Sequence, residues 1–437
     1  MQRRRVMSLL LAVIMAWCAT SGLAQAKVQV QFWHALGGHI GSHVLQGFVD
    51  EFNTSQDRVH VEAIYQGNYD DTLNKYRLAV QAGETPHLVH VYEIGTRLMI
   101  DLQSTVSLQP FIDRGDVELE HMVANVLAYY TIDDQLYSMP FNTSNAILYY
   151  NKDMFRAAGL DPEQSPKTFE EFREYAQRMT GNGKHGFGNY AYGWYFEQLM
   201  AIQNAEYVNN GNGRLAPATE AAFNGEAGVR ILEWLSNMKN DGSYLDCGRD
   251  SSALRSAFVA GNVGMRIGST GGFASTLADI DDRFEMGAAF LPVPEGIERG
   301  GVVIGGGSIW MSKDHPQEEI EAAWEFLRHL TTPESTAYWH VNTGYFPIDR
   351  RAMELDNVKQ LHTETPHFRT AIDQLEASRI SLATQGAVIG VFPEARKAIE
   401  VAMEQVLLGM ASPQAALDEA AEEVTAAIRR YNIQRGF

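Results

Sequence analysis

Cysteine is nearly missing from this chain: among 437 residues only Cys18 and Cys247 occur. That excludes a disulfide-stapled scaffold, a CxxC redox pair and a cysteine-rich zinc site. Basic residues are also short, 35 Lys and Arg against 54 Asp and Glu, for a net charge of −19. A surface this acidic repels nucleic acid and anionic membranes. No stretch beyond the N-terminal segment reaches about 18 apolar residues, so no later membrane span is expected. Catalytic signatures are absent too: no HExxH, Walker loop or GxSxG elbow. "SNMK" at Ser236–Lys239 matches SxxK, but its SDN and KTG companions are missing and it reads as a surface helix turn. His39 and His43, near His34, have the i, i+4 spacing that can hold zinc, yet no Cys, Asp or Glu close by completes a set. Neither metal nor cofactor is expected.

What is present begins with "MQRRRVMSLLLAVIMAWCATSGLAQAKV". Arg3 to Arg5, the apolar Val6–Ala16 and the small-residue site Ala24-Gln25-Ala26 make a cleavable secretory signal, cut near Ala26-Lys27. Without it the chain keeps 32 basic and 54 acidic residues, a net charge of −22, and one cysteine. Such a cysteine-poor, acidic, exported chain suits a periplasm, and its stability has to come from the core.

Periodicity then organises the chain. Val28, Val30 and Phe32 alternate as in a strand, and Ile40, Val44, Leu45, Phe48, Val49 and Phe52 recur at helical spacing. Val59, Val61 and Ala63 alternate again, "YQGNYDDTLNKYRLAV" follows as a helix, and "HLVHVYEIG" is a third strand. This β-α-β-α-β order predicts an α/β fold, a mostly parallel sheet with helices on both faces. Thr168 and Glu171 make a capping box, and Pro333, Pro393 and Pro413 mark helix starts. Without a Pro/Ser linker, the lobes of a two-domain chain have to share crossover strands. "PFNTSNAILYYNKDMFRAAGLDP", Pro140–Pro162, is the first candidate: Asn142, Thr143 and Ser144 line a polar wall before a buried strand.

Polar and aromatic residues recur at junctions between elements. Tyr69 and Asp70 open a helix, and Tyr92 and Glu93 end a strand. Trp194 follows Tyr190 and Tyr192; Ser269 and Thr270 lie in "GSTGG", Gly307 in "GGGS", Tyr345 in "NTGYFP" and Arg396 in "FPEARKAI". Ligands of open α/β sheets bind beyond the carboxyl ends of strands, where helix N-termini present free N–H groups. Carboxylates such as Asp70 and Glu93 accept hydroxyl hydrogen bonds from a polyol, and an arginine in a first helical turn suits a phosphate.

The blocks "FWHALGG", "YQGNYDDTL", "HVYEIGT", the Pro140–Pro162 stretch, "IGGGSIW", "WHVNTGYFPI" and "SPQAALD" cover the mature chain in order. In them the chain resembles the glycerol-phosphate branch of the extracellular solute-binding family, which also holds maltose-binding protein. The resemblance implies a two-lobed periplasmic-binding-protein fold of type II, with two mixed sheets flanked by helices and a multi-strand hinge. It implies residues 1–26 as signal peptide, 27–142 with 308–346 as one lobe, and 143–307 with 347–437 as the other. It also implies a non-enzymatic, monomeric component of an ABC importer that captures sn-glycerol-3-phosphate or a glycerophosphodiester such as glycerophosphocholine. Its partners would be the permease and its ATPase, not nucleic acid. Tyr69 would touch phosphate, with Asp70 beside it; Glu93 would bind glycerol hydroxyls; Ser144 and Trp194 would lie in the cleft. Ser269 or Thr270, Gly307, Tyr345 and Arg396 would complete the phosphate side.

Two departures stand out. A first cleft tryptophan is replaced by Ala191, and a second basic patch reads "TQGAVIGV" at Thr384–Val391. Both make room for a ligand larger than glycerol-3-phosphate, whose trimethylammonium would rest on Trp194 and its neighbouring tyrosines. A sugar or oligosaccharide binder on the same fold is the alternative, favoured by the missing basic residues. An enzyme acting on polysaccharides through Asp70 and Glu93 is a third.

Overall fold

A computed structural model describes residues 26–38 and 41–437. The signal-peptide expectation and His39 lie outside the described residues. Ten strands form two five-stranded sheets: β1 Val28–His34, β2 Val59–Tyr65, β3 Leu88–Tyr92, β4 Met139–Ser144, β5 Ala146–Asn151, β6 His185–Asn189, β7 Tyr244–Asp246, β8 Val263–Ser269, β9 Met286–Ala289 and β10 Gly305–Met311. The first sheet has the order β2-β1-β3-β10-β4 and the second β9-β5-β8-β6-β7. Both are mixed. β1 is parallel to β2 and β3, whereas β10 is antiparallel to β3 and β4. In the second sheet β5 is antiparallel to β8 and β9, and β6 is parallel to β8 and β7.

Each element follows from local sequence. Val30, Phe32 and His34 of β1 are buried while Gln29 and Gln31 face out, the period-two pattern of a half-covered strand. All five residues of β3 are buried, as expected for a strand covered on both faces. Helix α1, Ser42–Ser55, buries Val44, Leu45, Phe48, Val49 and Phe52 on one stripe. Helix α2, Tyr69–Ala82, starts with a capping box between Asn68 and Asp71 and stops at left-handed Gly83. The Thr168–Glu171 box opens α3, Phe169–Met179. The apolar α4, Gly193–Ile202, is buried along its length. It packs with α5, Glu226–Asn240, and with α6, Phe392–Leu407, against which the C-terminal α7, Pro413–Arg435, lies.

The two lobes are joined where Ser144 ends β4 and Ala146 begins β5, with one residue between. Asn145 is fully buried there and uses every polar group. Its Nδ2 donates to Ala371 O at 2.8 Å, its Oδ1 accepts from Gln374, and its backbone exchanges bonds with Thr270. A buried amide so satisfied fixes the crossover rather than weakening it. The amide-rich "FNTSN" run is therefore the joint between two sheets. A second passage precedes β10, where Val303 O accepts from Gln198 and Ile304 O from Trp194 Nε1. A third brings Phe346 N to Thr143 O at 3.2 Å. No helix among the described residues is long and apolar enough to cross a membrane.

Candidate functional site

The carboxyl end of β3 meets the N-terminus of α2 from one lobe and α4 and α6 from the other. Tyr69 and Tyr92 stack with ring centroids 5.2 Å apart and planes 4° apart. Tyr92 donates its hydroxyl to Asp70 Oδ1 at 2.6 Å. Behind them Asn142 acts as a hub: its Nδ2 donates to Tyr69 Oη at 2.8 Å and its Oδ1 accepts from His90 Nε2 at 2.7 Å. Burial holds His90 down at about 3, so the ring is neutral and carries its proton on Nε2.

Arg396 crosses between the lobes. Its Nη2 lies 2.5 Å from Glu93 Oε1 and 2.7 Å from Glu197 Oε2, and all three side chains are buried. Burial pushes the Glu197 carboxyl up to about 7; Arg396 pulls it down and Glu93 pushes it up further. Burial likewise raises Glu93 against the pull of Arg396. Arg396 stays charged, because the two carboxylates outweigh its own desolvation. Two acids around one base leave no net positive charge here. Arg396 Nε and Glu197 Oε1 still lack partners among the described residues.

Tyr69, Asp70, Tyr92, Tyr192, Arg396 and Glu400 border a hollow of about 170 Å³ between the lobes. Of the residues singled out in sequence, the structure brings Tyr69, Asp70, Tyr92, Tyr192 and Arg396 to this lining, and Glu93 reaches it through Arg396. The others stand behind it. Tyr345 is buried within hydrogen-bonding reach of Asn142 and Tyr69, and its ring covers Gly271, where a Cβ would come within 2.4 Å. Ser269 Oγ accepts from Gly271 N, and Thr270 Oγ1 accepts from Asn145 N. Gly307 sits opposite Tyr92 and Asn142 in the sheet, and a Cβ there would approach His90 Nε2 to 2.4 Å. Ser144 pairs with Gly305. Trp194 packs under Gly305, so the aromatic face at the hollow is that of Tyr192. Arg396 itself stands one residue past the first turn of α6.

Glu197 and Glu400 carried no flag in the sequence. A signal for Glu197 existed: Glu197-Gln198 interrupts an otherwise apolar ten-residue helix, and a carboxylate buried there requires a cation. Among the described residues, two groups place three metal-capable side chains together: His87 with His315 and Glu319, and Glu118 with Glu120 and His121. In the first, Gln31 N donates to His87 Nδ1, so the neutral ring carries its proton on Nε2 and donates it to Glu319. That tautomer turns a proton, not a lone pair, toward a metal.

Two α/β lobes joined by several chain passages, with a polar, aromatic hollow between them, define the architecture of a protein that captures a small solute by closing on it. The family model for bacterial extracellular solute-binding proteins matches residues 47–368, and the chain belongs to that family. It is 31% identical to the sn-glycerol-3-phosphate-binding periplasmic protein UgpB of Pectobacterium atrosepticum over 430 residues, 96% of each chain. To UgpB of Escherichia coli K12 it is 30% identical, covering 94% of this chain and 95% of the other. Among solved structures, UgpB of Mycobacterium tuberculosis in complex with glycerophosphocholine matches with a TM-score of 0.80 at 22% identity, over 93% and 99% of the two chains. The sugar-binding protein MalE of Xanthomonas citri matches with a TM-score of 0.76 at 21% identity, again over 93% and 99%. This chain is thus the substrate-binding component of an ABC importer, and its relatives are periplasmic carriers rather than enzymes.

Proposed function

We propose that the chain, as a periplasmic monomer, captures sn-glycerol-3-phosphate or a glycerophosphodiester such as glycerophosphocholine between its lobes and hands it to a permease and its ATPase. The observation that carries this reading is the inter-lobe grouping of Arg396, Glu93 and Glu197 beside Tyr69, Asp70, Tyr92 and Tyr192. Asp70 and the tyrosine hydroxyls suit glycerol hydroxyls. The stacked Tyr69–Tyr92 pair and Tyr192 suit a quaternary ammonium by cation–π attraction. The relatives named for glycerol-3-phosphate and the neighbour holding glycerophosphocholine support the same class. Contacts from both lobes make ligand binding favour the closed form. We take the lobes to exchange at residues 144–146, at 290–304 and near 343–348.

A sugar is the second reading, favoured by one observation: Arg396, the basic group of the hollow, is already matched by two carboxylates. A thermal-shift panel separates the two. A ligand at about 100 times its dissociation constant adds about 2.7 kcal/mol of stability. Glycerophosphocholine or glycerol-3-phosphate is expected to raise the melting temperature while maltose and trehalose do not. The reverse result would replace the phosphate-ester reading with the sugar one. Turnover of a polysaccharide or a phosphodiester by the pure protein would contradict the carrier role.

A further inference from the structure

Glu93 follows β3 of the first sheet, whereas Glu197 and Arg396 stand on α4 and α6, which pack on each other in the other lobe. One guanidinium nitrogen, Arg396 Nη2, serves both acids, at 2.5 Å to Glu93 Oε1 and 2.7 Å to Glu197 Oε2. An ion pair within one lobe thus receives a second carboxylate from the other. The groups around it supply no further cation. Tyr92, Tyr129 and Tyr130 face Glu93, and Tyr129 and Tyr207 face Glu197; burial keeps these phenols protonated and uncharged. Burial does the same for Tyr192 in the loop before α4. Glu400, one turn beyond Arg396 in α6, accepts from Gly193 N and pairs with Arg249. A Cβ on Gly386 would lie 3.6 Å from Glu197 Oε1, and Arg214, behind Gly386, spends its donors on the carbonyls of Ala128, Tyr129, Gln385 and Gly386. Among the described residues, Glu93 and Glu197 form ion pairs with Arg396 alone. Two ionised acids on one base would seal a negative charge away from water, which is costly, and one proton removes it.

We propose that closure of the lobes on a solute is coupled to the uptake of one proton by the Glu93–Glu197 pair, so that capture is itself proton-linked. With the lobes apart, Glu197 has Arg396 to itself, and one acid matches one base. Closing brings the Glu93 charge to the same nitrogen and withdraws water from both carboxyls, and each effect favours the protonated form. Burial raises both carboxyls, and Glu197 reaches about 7 against the pull of Arg396, with Glu93 pushing it further up. The proton belongs to the pair, because the two acids share one cation. It binds the closed form better than the open one, so falling pH favours closure. A solute that prefers the closed form is then held more tightly as pH drops through 7. The coupling needs only the carrier role and lobe closure, whichever solute is carried.

The test is calorimetric titration of the mature wild-type protein, E197Q and E93Q with glycerophosphocholine, whose phosphodiester does not titrate near neutrality. Phosphate and Tris buffers at about pH 6, 7 and 8 differ in ionisation enthalpy, so the difference in heat counts the protons taken up. The wild type is expected to take up about half a proton at pH 7 and to bind about tenfold more tightly at pH 6 than at pH 8. Each variant leaves one acid for one base, so its heat should not depend on the buffer and its affinity, whatever its level, should stay flat with pH. Buffer-independent heats and a flat profile in the wild type would overturn the coupling and leave the choice of solute untouched. Equal proton uptake in the wild type and both variants would put the proton elsewhere and overturn it as well. Should glycerophosphocholine give no heat, maltose, which carries no titrating group, serves for the same comparison. Silence with both moves the test to X-ray scattering of the free protein. A radius of gyration smaller at pH 6 than at pH 8 in the wild type, and unchanged in the variants, supports the coupling; equal radii throughout overturn it.

Discussion

Replacing Glu197 by Gln removes one charge from the buried group around Arg396 and keeps a side chain of the same shape and hydrogen-bonding reach. Glu197 holds its proton up to about pH 7 in the folded protein, against an ordinary value of 4.5. A carboxyl raised in this way favours the folded state most below its unfolded pKa, and that advantage disappears as pH climbs through the folded pKa. Between about pH 4.5 and 7 the unfolded chain releases a proton that the folded chain keeps, so stability falls with rising pH in that window. At 1.36 kcal/mol per pKa unit the loss amounts to about 3 kcal/mol. Urea unfolding of wild type and E197Q at a series of pH values measures it directly. His34 and His340, held near 4, and His90, held near 3, act in the opposite direction as pH falls, but equally in both proteins. The difference between the two profiles therefore reports Glu197 together with the Glu93 carboxyl coupled to it. E197Q is expected to gain about 3 kcal/mol relative to wild type between about pH 5 and pH 7.5. Parallel profiles would show that Glu197 is ionised throughout and would refute the account of the buried group.

Arg396→Ala strands two buried carboxylates and should cost about 3–5 kcal/mol in urea titrations. The loss should shrink as pH falls, because Glu93 and Glu197 then take up protons. Asn142→Ala leaves Tyr69 and His90 without their shared partner and is expected to cost about 1–3 kcal/mol for each buried group left unpaired, read by the same titration. Gly305→Ala puts a Cβ 2.3 Å from the Trp194 ring, so the indole must move; a shifted tryptophan emission spectrum and weaker ligand binding are expected.

Much of the fold was legible because its signals are local. The capping box of Thr168 and Glu171 and the prolines at 333, 393 and 413 all mark helix starts in the structure. The alternation of Val28, Val30 and Phe32 needs no partner to be seen. The sheet order was a different matter. β10 is distant in sequence from β3 and β4 yet pairs with both, and no local pattern marks that pairing. That Tyr69, Asp70, Glu93 and Arg396 come from separate junctions was readable; that Arg396 would be claimed by Glu197 was not. The second acid sits in mid-helix, where apolar periodicity hides a single charge, and its role exists only once α4 and α6 pack together.

The most direct measurement is calorimetric titration of the signal-free protein with glycerophosphocholine, sn-glycerol-3-phosphate and maltose at neutral pH. Saturable one-to-one binding of a glycerophosphate ester, with no heat from maltose, is the result expected of a solute trapped between these lobes. Silence with both esters, or a clear isotherm with maltose alone, would contradict it.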